Sequence, residues 1–296
     1  MKKLTGKIVI NAYKRPIESV RQAERLKEEF NHLNVDVEIV TDNLIRSCVA
    51  DGKVNSDLKD SDFIVYLDKD KYTSAVLTKL GVKLFNSHDA IRVCDDKAET
   101  YIALANNGLK IPDTLFGTLS YSKDDVLSEE YLGRVEDFIG YPVIVKECFG
   151  SMGKGVNLAN DRGELLQVLD KVKNKPHLFQ KYLPYKSGTD VRVIVIGEKA
   201  VSAIERSNDE DFRSNVARGG FAKAIPLTEE FKVTAEKCAK ILGLDYCGVD
   251  LLYDKDGNPL VCEVNSNAFF EGFESATKIN VAKLYAEYII EKTTKE

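Results

Sequence analysis

Two acidic residues in one stretch, GVDLLYDKDGNPLVCEVN at positions 248–265, have the type and spacing to bind a cation. Two apolar runs flank an Asp-Gly turn signal, the pattern of a β-hairpin. Asp250 lies six residues before Asp256, and Glu263 lies six after Gly257. If the turn centres on Asp256 and Gly257, the carboxylates oppose each other with Cβ atoms ~4.5–5.5 Å apart. Like charges so placed repel, and a divalent cation between them turns repulsion into binding. Asn265 falls on the same face and adds a neutral oxygen. An all-oxygen set suits Mg²⁺ or Mn²⁺, which keep waters and accept phosphate oxygens. The alternative is that one carboxylate stays protonated or finds an arginine. A one-residue slip in register would turn one acid to the other face.

Three further features suit phosphate. Residues 149–155 read FGSMGKG. Backbone at glycines approaches phosphates closely, and successive N–H groups can form an anion nest. The run does not match G-x-x-x-x-G-K-[ST] and joins strand to strand, so it reads as a glycine-rich flap or as a plain hairpin loop. Lys146 ends the apolar strand before it, well placed for a phosphate. Lys97 is a second cation or a solvated helix charge. Residues 205–220, ERSNDEDFRSNVARGG, hold three arginines. Arginine forks match phosphate and carboxylate, although a solvated loop with internal Arg–Asp pairs gives the same composition.

The elements that must position these groups follow from periodicity. Apolar runs at 7–11, 35–40 and 63–67 alternate with helical spacing over 16–33 and 73–80, which predicts parallel strands covered by helices. No G-x-G-x-x-G follows the first strand, so no Rossmann dinucleotide site is expected. A helix is expected over 95–107, stopped by Gly108 with Pro112 beyond. Helices at 128–139 and 161–172 and strands at 143–145 and 156–159 make a small α+β unit. Strands at 191–196 and 200–205, a polar loop, a helix at 228–242, the acidic hairpin and a helix at 280–292 complete the chain. The expected domains are 1–110, 111–183 and 184–296.

Length and composition bound the function. The 296 residues allow two or three compact units. The 42 basic against 47 acidic residues give a net charge of −5, which argues against a nucleic-acid-binding surface. No apolar run reaches the ~20 residues of a membrane span, and the N-terminus has no signal-peptide core. Six cysteines without a C-x-x-C pair read as reduced core thiols, so a cytoplasmic location is expected.

In this order, the features resemble the ATP-grasp superfamily, and within it the RimK-like α-L-glutamate ligases. The resemblance spans nearly the whole chain. It is most specific over 188–279, in GTDVRVIVIGEKAVSAIER, DFRSNVARGG, GVDLL and EVNSNAFFEGFE. It implies an ATP-grasp fold of the α/β and α+β class: a parallel N-terminal domain, a small flap domain and an antiparallel C-terminal domain, with ATP between the last two. By matching motif, Lys97 and Lys146 would contact phosphates. Ser151, Met152, Gly153, Lys154 and Gly155 would form the flap. Gln180, Lys181, Tyr182 and Leu183 would read adenine, and Asp190 the ribose. Asp250, Glu263 and Asn265 would hold two Mg²⁺ or Mn²⁺ ions. Arg213, Asn215 and Arg218 would face the transferred phosphate.

The implied activity is ADP-forming ligation of a carboxylate to an amine through an acyl phosphate, adding L-glutamate or another amino acid to a small molecule, peptide or protein. A D-alanine–D-alanine-type or peptide-modifying ligase and a non-catalytic nucleotide-binding regulator are the alternatives. Family members often form dimers or tetramers. The sequence departs from the family pattern at Lys181, usually acidic, and at residues 66–70 and 266–270, where substrates are expected.

Overall fold

The computed structural model describes residues 4–13, 17–214 and 221–295. The chain begins with β1 (Thr5–Ile10), α1 (Ile17–His32), β2 (Asp36–Thr41), β3 (Ser47–Ala50), β4 (Lys53–Ser56), β5 (Phe63–Tyr66), α2 (Lys71–Lys79) and β6 (Leu84–Phe85). A parallel sheet runs in the order β2-β1-β5-β6. Ile8, Ile10, Phe63 and Val65 pack on Ala23, Leu26 and Phe30 of α1. Val9, Ile64 and Tyr66 pack with Leu77 of α2 on the other face. Strands buried on both faces read as continuous apolar runs, which is why this sheet was legible. The β3–β4 hairpin was not expected, because its residues alternate too weakly to stand out.

The helix expected over 95–107 is the shorter α4 (Lys97–Leu104), and α3 (His88–Asp95) just before it was not expected. Asp96 between them is extended, with φ −97° and ψ 111°, and its side chain accepts from the N–H groups of Ala98 and Glu99. A short acceptor beside free helix N–H groups favours the cap over continuing the helix. The break makes Lys97 the first residue of α4.

The middle of the chain forms β7 (Thr114–Phe116), α5 (Glu129–Phe138), β8 (Val143–Glu147), β9 (Val156–Ala159), α6 (Arg162–Val172) and β10 (His177–Lys181). They make an antiparallel sheet in the order β7-β10-β8-β9. Strand alternation divides its faces. Val143, Val145 and Phe179 pack on Leu132 and Val135 of α5 and Leu165 and Leu169 of α6. Ile144, Lys146 and Gln180 face a cleft instead.

The last third holds β11 (Thr189–Ile196), β12 (Lys199–Ser207), β13 (Phe221–Ile225), α7 (Glu229–Leu242), β14 (Tyr246–Tyr253), β15 (Pro259–Asn265), α8 (Glu271–Thr277) and α9 (Val281–Thr294). The five strands form an antiparallel sheet in the order β13-β12-β11-β14-β15. Strand β13 was hidden in the polar loop, and its residues stay largely exposed. Helix α8 was also missed, being only 7 residues long. One sheet face buries Val191, Val193, Val249 and Val261 against Ala235 and Ala239 of α7. The other buries Ile194, Ile196 and Tyr246 with Phe270, Tyr285 and the α1 core, then opens into the cleft at its far end.

Asn86 joins the parallel sheet to this second body. Its Nδ2 donates to the carbonyls of Tyr246 and Ser266, both at 2.8 Å. Its Oδ1 accepts from the N–H groups of Asp245 at 2.7 Å and Tyr246 at 2.9 Å. The mixed α/β and α+β class expected from sequence is the class observed.

Candidate active site

Charged residues at alternate positions of otherwise apolar strands end on one face of the five-stranded sheet. Asp190 and Arg192 share that face of β11. Register places Asp190 opposite Arg206 of β12, and Arg192 opposite Asp250 of β14. Asp250 in turn stands opposite Glu263 of β15. The expected pairing of the two acids is present, but not for the expected reason. The loop is Asp254 to Asn258, with Tyr253 opposite Pro259, one half-step away from a turn centred on Asp256 and Gly257. A β-bulge then skips Cys262, between the pairs Leu251–Val261 and Asp250–Glu263. The extra residue returns Glu263 to the face of Asp250. Two offsets of one residue cancel.

The Asp250 carboxylate is buried, and Arg192 grips it through Nε and Nη2, both at 2.7 Å. Arg206 Nη2 lies 3.0 Å from its Oδ2, and Asn265 Nδ2 donates to the same oxygen at 3.3 Å. Burial works against this charge, yet Arg192 and Arg206 outweigh it and hold the carboxyl below its usual range. Arg206 also forks onto Asp190, and the Ser214 hydroxyl donates to Asp190 Oδ2 at 2.5 Å. Burial opposes the Arg206 charge as well, and Asp250 and Asp190 raise its pKa above the ordinary arginine value. Glu263 is more open, its side chain 29% exposed, and it pairs with Lys97 at 3.1 Å.

A cleft of about 1000 Å³, counting solvent at its mouth, separates this face from the flap sheet. Lys97, Lys146, Asp190, Arg213, Asp250 and Glu263 all line it. So do Ser151, Gly153 and Lys154 of the glycine loop, Gln180 and Lys181 at the end of β10, and Tyr182 and Leu183 just after it. Met152, Gly155 and Asn265 are not among its lining residues. Asn215 and Arg218 lie outside the described residues.

The loop reaches across the cleft. Lys97 Nζ donates to Gly150 O at 2.9 Å. Arg213 Nη1 donates to Gly153 O at 3.2 Å and Val156 O at 3.1 Å, while its Nη2 pairs with Asp211 at 2.6 Å. The Arg–Asp pairing weighed from sequence is therefore present beside the contact with the loop. Gln180 is buried, its Nε2 donating to Thr114 Oγ1 at 2.9 Å. Lys181 is exposed, 4.0 Å from Asp113. Lys146 is buried, with Nζ 4.0 Å from Cys262 Sγ and 6.0 Å from the centre of the Tyr101 ring. Burial opposes its charge, but Cys262, Tyr101 and Glu263 keep its pKa above the ordinary lysine value.

The donor set fits a hard divalent cation. Two carboxylates and an amide stand on one face of one hairpin, although the alternative left open by the sequence, a carboxylate that finds an arginine, is present: Arg192 and Arg206 hold both Asp250 oxygens, and Lys97 pairs with Glu263. Among the described residues no group of three or more His, Cys, Asp or Glu side chains could hold a metal. A cation here would complete its shell with water and phosphate oxygens, as Mg²⁺ does. Sequence reasoning missed Arg192, Ser214, Tyr101 and Cys262 as site residues, and took Arg206 only as one of three arginines suited to phosphate or carboxylate. The two arginines carry a readable signal: opposite charges at alternate positions of buried strands must meet a partner on that face.

Among the described residues, no helix is long and apolar enough to cross a membrane. Comparison with known proteins gives concordant matches. The chain is 37% identical over 226 residues to N-acetylaspartylglutamate synthase A of Homo sapiens, covering 76% of this chain and 56% of that protein. It is 35% identical over 231 residues to the glutamate–LysW ligase ArgX of Sulfurisphaera tokodaii, covering 76% and 78%. The chain thus spans a little over half the length of the human synthase. Among solved structures, a D-alanine–D-alanine ligase of Bacillus anthracis complexed with ATP superposes with a TM-score of 0.74 at 21% identity, covering 99% of this chain and 98% of that one. The ATP-grasp ligase PsnB, complexed with minimal precursor, Mg and ADP, superposes with a TM-score of 0.69 at 18% identity, covering 98% of each chain. The RimK-like ATP-grasp domain itself matches residues 94–289, and the chain belongs to that family.

Proposed function

We propose that the chain catalyses ATP-dependent, ADP-forming carboxylate–amine ligation. The amine is L-glutamate or another amino acid, and the carboxylate belongs to a small molecule, peptide or protein. The observation that carries this reading is the Asp250–Glu263 pair on one wall of a cleft whose other wall presents Lys146 and the glycine loop. The family and its glutamate-joining relatives support the same class.

In this reading Lys97, Lys146 and the backbone of residues 151–155 hold the triphosphate. Residues 180–183 read the adenine edge, and Asp190 the ribose. Arg213, with Asn215 and Arg218, faces the phosphate in transfer. Asp250, Glu263 and Asn265 are the groups that would hold two Mg²⁺ or Mn²⁺ ions. Such ions, when bound, neutralise phosphate oxygens. A substrate carboxylate oxygen attacks the γ-phosphorus, and the bond to the β-bridging oxygen breaks with its electron pair leaving on ADP. The amine nitrogen then adds to the acyl carbon, and phosphate departs with a net loss of one proton. No side-chain nucleophile is required, so positioning and charge neutralisation are the protein's share of the work. The chain is proposed to divide into three units bounded at 1–110, 111–183 and 184–296.

The test is product analysis with ATP, Mg²⁺, single amino acids and a small-molecule cell extract. ADP should form only when both a carboxylate and an amine are supplied, with a new amide in the mass spectrum. Release of AMP and pyrophosphate, or no ADP with any amine, would refute the proposal.

A further inference from the structure

Tyr101 takes no part in the mechanism above, yet it touches the one irregular residue of the acidic hairpin. Its side chain is buried, and its hydroxyl donates to the carbonyl of Cys262, the residue that the β14–β15 ladder skips. Without that extra residue the ladder would run on from Leu251–Val261, setting Cys262 opposite Asp250 and Glu263 opposite Val249. Val249 lies in the core beneath α7. Glu263 would then leave the cleft, since one step of register exchanges the faces of a strand. The bulge leaves Cys262 without an opposite residue in the ladder, and its half-buried carbonyl takes a donor from outside the hairpin. Tyr101 supplies it. Burial raises the phenol pKa, so the group remains a donor. Tyr101 also lies one helical turn after Lys97 on α4, on the same side. That helix therefore meets the bulge twice: Lys97 at the Glu263 carboxylate and Tyr101 at the Cys262 backbone.

We propose that Tyr101 is a positioning residue, which fixes the Glu263 carboxylate opposite Asp250 by holding the carbonyl of the bulged Cys262. The inference rests on the reading of Asp250 and Glu263 as the cation-holding pair. It is tested by titrating Mn²⁺ into the full chain with ADP, following free Mn²⁺ by electron paramagnetic resonance, for the parent, Tyr101→Phe, Glu263→Gln and the double variant. Phenylalanine keeps the ring and removes only the donor. Groups that orient a metal ligand are worth about 10–100-fold in metal affinity, so Tyr101→Phe should weaken Mn²⁺ binding by that factor. Because the Tyr101 hydroxyl also lies 3.5 Å from Gln180 Oε1, ADP affinity is measured by calorimetry in EDTA as well, and it should fall by clearly less than the Mn²⁺ affinity does. The double variant should bind Mn²⁺ no more weakly than Glu263→Gln alone, because both changes act through one carboxylate. Unchanged Mn²⁺ affinity in Tyr101→Phe, with Glu263→Gln impaired, overturns the role of Tyr101. So do additive losses in the double variant, or an equal loss of ADP affinity without metal. Unchanged affinity in Glu263→Gln overturns the cation-holding reading, and this inference with it.

Discussion

Glu263→Gln is expected to reduce ADP formation by at least about 10²-fold, the cost of losing one group that stabilises developing charge, while the melting temperature stays within about 3 °C. The Glu263 side chain is partly open to solvent, glutamine keeps its shape, and Lys97, only 11% exposed, keeps its hydrogen bond to Gly150 O. Asp250→Ala should remove activity as completely but also cost about 3–5 kcal/mol of stability, because it leaves Arg192 and the deeply buried Arg206 facing a void. The two acids of one site are thus expected to separate cleanly when turnover and denaturant midpoints are measured together. Glu263→Gln with activity within tenfold of the parent would remove the acid from the chemistry. An Asp250→Ala protein as stable as the parent would contradict the arginine clamp.

The second large effect lies at the joint between the parallel sheet and the five-stranded sheet. Asn86→Asp is expected to destabilise the protein more than Asn86→Ala, although aspartate is nearly isosteric. The native amide uses both N–H bonds on carbonyls and its oxygen on two backbone N–H groups. Alanine leaves four buried backbone groups short of a partner, at about 1–3 kcal/mol for each one that finds no water. Aspartate keeps an acceptor for Asp245 and Tyr246 but turns a carboxylate oxygen toward the carbonyls of Tyr246 and Ser266. Since native stability is about 5–15 kcal/mol in total, either change should move the urea midpoint markedly. A shift under 1 kcal/mol in both would mean that the joint between the two bodies does not depend on Asn86.

The same residues explain what the sequence could and could not reveal. Long apolar runs with a single period, such as Phe63–Tyr66 and Tyr246–Tyr253, declared themselves as strands. Irregularity did not. The bulge at Cys262 has no compositional mark, so the right pairing of Asp250 with Glu263 came from a turn assigned to the wrong centre. Helix α3 was missed and α4 was started at Asp95, although an aspartate before Lys-Ala-Glu is a capping signal that could have been read. Strand β13 pairs through its backbone while exposing its side chains, so hydrophobic pattern could not find it. Arg192 was passed over because alone it reads as an ordinary surface charge, and Arg206 was read only as one of three arginines suited to phosphate or carboxylate. Their partners come from strands distant in sequence, and only register brings them together.

The hairpin's construction makes its tolerance of length changes lopsided. Between Asp254 and Asn258 the chain is a connector closed by its own hydrogen bonds, such as Asp254 N–H to Asn258 O at 2.8 Å, and it can gain or lose residues while the ladder resumes at Pro259. Deleting a single codon between Pro259 and Glu263 would instead turn the glutamate away from its partner and into the oily side of the sheet. Such a chain could still fold, with its nucleotide cradle intact and its acid facing the wrong way.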